Sequence, residues 1–100
     1  MTYSTDDMQD FLYQHIPLAV AMQVDIESYD GAHLVLTAPL ACNHNDKGTA
    51  FAGSISSLAT VSGWIALMLW AKNHYEGEFQ VAVAHADIHY KKPILTDFKA

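Results

Sequence analysis

From Gly48 through Ala71 the chain carries no charged residue, a run long enough to cross a bilayer. Gly48, Thr49, Gly53, Ser54, Ser56, Ser57, Thr60, Ser62 and Gly63 interrupt its earlier part, and the apolar weight falls late, in Trp64–Trp70. That distribution favours a buried central helix, from about Ala52 to Tyr75, over a transmembrane one. Gly77 stands just past its end, where a helix C-cap belongs. The helix has no polar face. On one side Gly53, Ser57, Thr60 and Gly63 lie near one another, and such a small-residue stripe lets a sheet approach closely.

The flanking segments supply that sheet. Ser4 or Thr5 caps a first helix, with Asp6 and Asp7 in the first turn, where the dipole favours acids. Met8, Phe11, Leu12, His15 and Ile16 follow helical spacing, and Pro17 closes the pattern. Met22–Tyr29 alternates as a half-buried strand does, Asp30-Gly31 reads as a two-residue hairpin turn, and His33–Ala38 returns. Pro39–Thr49 is a long loop of turn formers. Beyond the central helix, Phe79–Tyr90 alternates again, with Ala82, Ala84, Ala86 and Ile88 on one face. Lys91-Lys92-Pro93 ends that strand, and Ile94–Lys99 begins another.

This order predicts a single α+β domain over residues 1–100. Three and a half strands scarcely cover a helix of about 36 Å, and the chain stops at Phe98-Lys99-Ala100 without a turn or cap. The expectation is a fragment of a longer domain whose final strands are absent.

Composition removes several function classes. Hydrophobic residues make up 51% and charged residues 16%, which excludes a disordered or solvating chain. The net charge is −6, and all five bases are lysines, which speaks against nucleic acid as a partner. The single Cys42 cannot form an internal disulfide, so a cytoplasmic location is the simpler expectation. No basic stretch followed by an apolar run marks a signal peptide.

Chemistry is most concentrated in the loop before the central helix, Asn43 to Ser54. A helix start offers unpaired N–H groups and partial positive charge, suited to an oxyanion. Gly53 would let a substrate carbonyl approach that backbone, and Asn45 could add an amide donor. The alternative is that Asn43, Asn45 and Gly48 only shape a turn.

Asn45-x-x-Gly48-x-x-Phe51-Ala52-Gly53 resembles the N-x-x-G-x-x-H-G-G loop of hotdog thioesterases of the phenylacetate-pathway type. Asn43-x-Asn45-x-x-Gly48-Thr49-x-Phe51-x-Gly53-Ser54, then Leu58-Ala59-Thr60 and Gly63-Trp64, looks closer to the YiiD C-terminal-domain family. The likeness runs from about Phe11 to Asp97 and includes Tyr90-x-Lys92-Pro93. It implies a hotdog fold, in which an antiparallel sheet wraps a long helix, and a homodimer with sites usually built between subunits. It also implies action on acyl thioesters of coenzyme A or acyl carrier protein, with no cofactor beyond that substrate carrier. Asn45, Gly53, Ser54 and Thr60 become the candidate catalytic residues, and Asn43, Gly48, Thr49, Phe51, Lys91 and Lys92 the substrate contacts.

The departures shape the expected reaction. The carboxylate of phenylacetate-type enzymes falls on Thr60, the loop histidine is Phe51, and the central helix holds no acid at all. Oxyanion donors without a hydrolytic base suit an enolate transition state, as in decarboxylation of a malonyl thioester. Part of the YiiD-like family is associated with malonyl-acyl-carrier-protein decarboxylation, which supplies acetyl primer for fatty-acid synthesis. Hydrolysis by a water held between Asn45 and Thr60, or an acyl-binding module without turnover, are the alternatives.

Other groups weigh less. His85-x-Asp87-x-His89 puts three metal-ligand types on one strand face, but a fourth ligand cannot be named and no metal is expected. Cys42 reads as a small buried residue. Lys91 and Lys92 suit the phosphates of coenzyme A or the acidic face of a carrier protein, or are two solvated lysines.

Overall fold

A computed structural model of the chain describes residues 4–78 and 80–100. Helix α1 spans Thr5–His15 and begins with a reciprocal capping box between Ser4 and Asp7. Pro17 opens a further short helix, α2 (Pro17–Ala21), rather than ending helical structure, because proline fits the first helical position, where no N–H is needed. Strands β1 (Asp25–Tyr29) and β2 (Leu34–Ala38) pair antiparallel, with Ile26 opposite Leu36 and a bulge at Glu27. A single 3-10 turn at Leu40–Cys42 follows. The long helix α3 runs over Ala52–His74, and β3 (Phe98–Lys99) joins the far side of β2, giving the order β1-β2-β3.

The core lies between α3 and the sheet, closed at one side by α1. Met8 and Leu12 of α1, Leu36 of β2, and Leu58 and Ile65 of α3 are fully buried together with Val24. Their burial is the principal stabilising contribution, at roughly 1.5–3 kcal/mol for each large side chain. Helix α1 also serves as a surrogate strand for β1. The Gln9 amide donates to the Val24 carbonyl at 2.6 Å and accepts from the Ile26 N–H at 3.0 Å. Tyr13 Oη donates to the same Val24 carbonyl at 2.8 Å. An edge that would otherwise expose backbone groups is thereby partly satisfied.

Helix α3 is long and apolar enough to cross a membrane by length and composition. Its row Leu58, Val61, Ile65 and Leu69 is buried in the core, whereas Leu67 and Trp70 are exposed.

Four local expectations require correction. The Asp30-Gly31 turn is a wider loop, closed by the Asp30 N–H to His33 carbonyl bond at 3.2 Å. The Asp30 carboxylate organises it by accepting from the Ala32 and His33 N–H groups at 2.9 and 2.7 Å. Gly77 does not cap α3; Tyr75 does, in an extended conformation, and Gly77 turns the chain afterwards with φ of 87°. The strand expected over Phe79–Tyr90 is not paired: Phe79 lies outside the described residues, and 80–90 forms no ladder with any described strand. The segment instead lies along α3, held where Trp64 Nε1 donates to the Val81 carbonyl at 3.2 Å. Alternation made the segment competent to be a strand, but a ladder also needs a neighbour at hydrogen-bonding distance. Cys42, finally, is exposed, although its Sγ reaches the Met22 carbonyl at 3.4 Å.

Candidate active site

The two loop asparagines have different duties. Asn43 is 3% exposed, and its Nδ2 donates to the carbonyls of Met22 and Pro39 at 2.9 and 2.8 Å. One bond fastens the loop to the end of α2, and the other closes it on Pro39. Asn43, expected as a substrate contact, thus serves here as a structural clamp.

Asn45 organises the turn that delivers the chain to α3. Its Oδ1 accepts from the N–H groups of Lys47 and Thr49 at 2.8 and 3.1 Å, and its Nδ2 donates to Thr49 Oγ1 at 2.8 Å. The main chain closes the same loop, from Asn45 N–H to the Thr49 carbonyl at 2.7 Å. Gly48 takes φ of 79°, a left-handed conformation that most side chains disfavour. One amide hydrogen of Asn45 remains outside these bonds. The turn reading and the donor reading thus coexist in one residue.

The Phe51 N–H binds the Asn43 carbonyl at 2.8 Å, fixing where the helix begins. Phe51 is its N-cap and offers no side-chain oxygen. The first intrahelical bond runs from Ile55 N–H to the Phe51 carbonyl at 3.0 Å, so Ala52, Gly53 and Ser54 present N–H groups with no helical partner. The space above Gly53 is not open, however. A Cβ there would stand 2.5 Å from Phe51 Cε2. The missing side chain accommodates the Phe51 ring, which packs beside the backbone that a substrate carbonyl is expected to approach. The ring is itself 53% exposed.

Beside this helix start lies a cavity of about 270 Å³ bounded by Asn45, Thr49, Ile55, Tyr90, Lys91 and Lys92. Two bonds carry the 90–94 segment across the loop: Ala50 N–H to the Ile94 carbonyl at 2.9 Å, and Tyr90 Oη to the Ala52 carbonyl at 3.1 Å. Lys47 pairs with Asp46, Lys99 pairs with Glu27, and Lys72 lies over the Phe11 ring. Lys91 and Lys92 have no carboxylate within ion-pair distance among the described residues. Tyr90 was visible in the sequence only as part of a strand-end motif, and its bond to the helix start could not be read from spacing.

Thr60 belongs elsewhere. It stands about 10 Å along the helix axis from Gly53 and lines a separate apolar cavity with Ile16, Ser57, Trp64 and Val83. A water held jointly by Asn45 and Thr60 is therefore not formed within one chain. Ser54 is half-buried in the first turn of α3, while Ser56 and Ser62 donate back to the Gly53 and Leu58 carbonyls, at 3.1 and 2.7 Å. His89 Nε2 lies 3.6 Å from Asp87 Oδ1, both exposed, and no group of three possible metal ligands gathers among the described residues.

Comparison with known proteins gives the family and the fold. The family described as "Putative thioesterase (yiiD_Cterm)" matches residues 5–100. The fold is similar to a crystal structure of a putative thioesterase from Shewanella oneidensis, at 30% identity and a TM-score of 0.83. That match covers 93% of this chain and 64% of the other. A Chlorobaculum tepidum protein of unknown function is similar at 35% identity and a TM-score of 0.87, over 95% of this chain and 58% of that one. The chain thus spans less than two thirds of the length of either structure. The α+β architecture, with a long helix against an antiparallel sheet, is the thioesterase-like hotdog fold.

Proposed function

The chain belongs to the YiiD C-terminal thioesterase-like family, and from that membership we propose that it converts malonyl thioesters of acyl carrier protein or coenzyme A to acetyl thioesters. One observation carries the choice of reaction. The cavity at the start of α3 gathers hydrogen-bond donors and two ammonium groups, and none of its lining residues is a carboxylate, histidine or cysteine. Thioester hydrolysis needs a base for water or a nucleophile, and the Thr49, Tyr90 and lysine side chains present are poor at both near neutral pH unless another group activates them. Decarboxylation needs neither.

In the proposed step the bond between the carboxylate carbon and the methylene carbon breaks. Its electron pair moves toward the thioester oxygen, giving an enolate and releasing CO₂. A solvent proton then adds to the methylene carbon to give the acetyl thioester. The free N–H groups of the α3 start and the remaining Asn45 amide hydrogen are suited to the oxygen on which charge develops. Lys91 and Lys92 are suited to the carrier's phosphates rather than to the malonyl carboxylate, since a cation there would stabilise the ground state. Acetyl primer for fatty-acid synthesis is the product this reading supplies. A homodimer belongs to it too, consistent with the apolar exposure of Leu67, Trp70 and Val83.

Hydrolysis of a short acyl thioester is the second reading, favoured by the description of the family. Incubation with malonyl-coenzyme A and malonyl-acyl carrier protein separates the two. CO₂ and an acetyl thioester are expected, free thiol would select hydrolysis, and saturable binding with neither product would leave an acyl-binding role.

A further inference from the structure

Lys91, Lys92 and Pro93 form a short span held at both ends. On one side the Ala50 N–H binds the Ile94 carbonyl at 2.9 Å; on the other Tyr90 Oη donates to the Ala52 carbonyl at 3.1 Å. Both anchors fall on the few residues that join the Asn45 turn to α3. The 80–90 segment has no strand partner among the described residues, so little else fixes where this span crosses the loop. Upstream of Tyr90, the Trp64–Val81 bond lies nine residues away along the chain. An extended segment can drift considerably over such a length.

We infer that Tyr90 is a positioning residue: its phenol fixes the Lys91-Lys92 span over the helix start and so sets affinity for phosphate-bearing thioesters. The inference rests on the reading of this cavity as an acyl-thioester site. Ala52 is the first residue of α3, so the phenol ties the lysine span directly to the backbone that offers the free N–H groups. The reacting thioester and the carrier phosphates are thereby held in one frame. Without the hydroxyl, the ammonium groups sample more positions, and part of the electrostatic contribution to binding is lost as ordering entropy. Chemistry at the thioester is unaffected, since the phenol contacts only a carbonyl already inside the helix.

Tyr90→Phe removes the hydroxyl and keeps the ring. With the 100-residue chain, KM for malonyl-coenzyme A should rise about fivefold, the scale of one exposed hydrogen bond, while kcat holds. KM for the malonyl thioester of N-acetylcysteamine, which has no phosphate, should not move. Calorimetric affinity for coenzyme A alone should fall by the same factor, and Tyr75→Phe, at the far end of α3, should change neither quantity. A Tyr90→Phe chain matching wild type on malonyl-coenzyme A, or weakened equally on both thioesters, overturns this inference alone. A wild-type chain that neither turns over a thioester nor binds coenzyme A overturns the functional reading and this inference with it.

Discussion

The ring of Phe51 lies so close on Gly53 that a Cβ at position 53 would stand 2.5 Å from the ring's Cε2. The contact joins the helix N-cap to the second residue of the first turn and covers part of the free backbone. Two effects oppose each other in Gly53→Ala. Alanine favours the helix by about 1 kcal/mol, while the new methyl expels the ring. Because Phe51 is already half in solvent, it can rotate outward at small cost. Thermal unfolding should show Tm unchanged or slightly raised, with KM for thioesters altered because the helix start is uncovered. A fall in Tm beyond about 8 °C, more than 1 kcal/mol in a domain this size, would mean that the ring is locked in place.

Asn45 separates turn-building from chemistry. Asn45→Ala removes both the acceptor for the Lys47 and Thr49 N–H groups and the donor to Thr49 Oγ1, costing roughly 1–3 kcal/mol. Asn45→Asp keeps the acceptor, since aspartate forms the same kind of turn, and should hold Tm near wild type. On the proposed decarboxylation it also places a negative charge beside the enolate oxygen. Turnover should therefore fall about 10²–10³-fold, the range for losing one oxyanion donor. Steady-state kinetics alongside thermal melts decide the matter. An Asn45→Asp chain with normal turnover would reduce Asn45 to a turn former.

The start of α1 and the pairing of the first two strands were legible because their causes are local. Ser4 and Asp7 meet across three residues, and Ile26 and Leu36 alternate into one core. Pro17, read as closing the first helix, opens a second one instead. The duties of Asn43 and Asn45 were not legible. Both are loop asparagines two residues apart, and only the Met22 carbonyl, twenty-one residues earlier, makes one of them a buried clamp. The same holds for Gly53, whose neighbour in space is the Phe51 ring. Residues 80–90 show the converse limit: alternation reports which faces a strand would present, but pairing depends on what else the fold brings alongside.

Asp30 gives a pH-dependent signature of the hairpin loop. Its carboxylate is held below the usual value of 3.8 by hydrogen bonds from the Ala32 and His33 N–H groups, with a smaller contribution from the His33 charge. A folded pKa below the unfolded one means that the loop's stabilisation is complete above the unfolded value and is lost as pH falls through the folded value. A carboxyl-carbon NMR titration should place the Asp30 midpoint below 3.8, the reference value. Exchange protection at Ala32 and His33 should persist to that midpoint. A midpoint at or above the reference would contradict the two backbone bonds.

Thr60 lines an apolar cavity with Trp64 and Val83, apart from the Asn45 cavity. Thr60→Ala keeps that surface apolar and removes no group near the thioester oxygen. CO₂ release should fall less than about tenfold, well short of the loss expected for an oxyanion donor. Product analysis on malonyl-coenzyme A checks this. Abolished turnover with a normal melting curve would place Thr60 in the chemistry and favour hydrolysis by a held water.

Lys91 and Lys92 supply the positive charge at the candidate site, in a chain whose net charge is −6. A phosphate-bearing substrate must approach against that overall field, so the local pair should govern encounter and binding rather than the chemical step. Replacing both with alanine should raise KM for malonyl-coenzyme A at least tenfold, with kcat nearly unchanged. Ionic strength offers an independent check. Screening shortens to about 8 Å at 0.15 M and about 3 Å at 1 M salt, so wild-type KM should climb steeply over that range. The doubly substituted chain, already without the attraction, should respond weakly. Equal salt dependence in the two proteins would mean that the phosphates are held elsewhere and that these lysines are solvated side chains at the end of an extended segment.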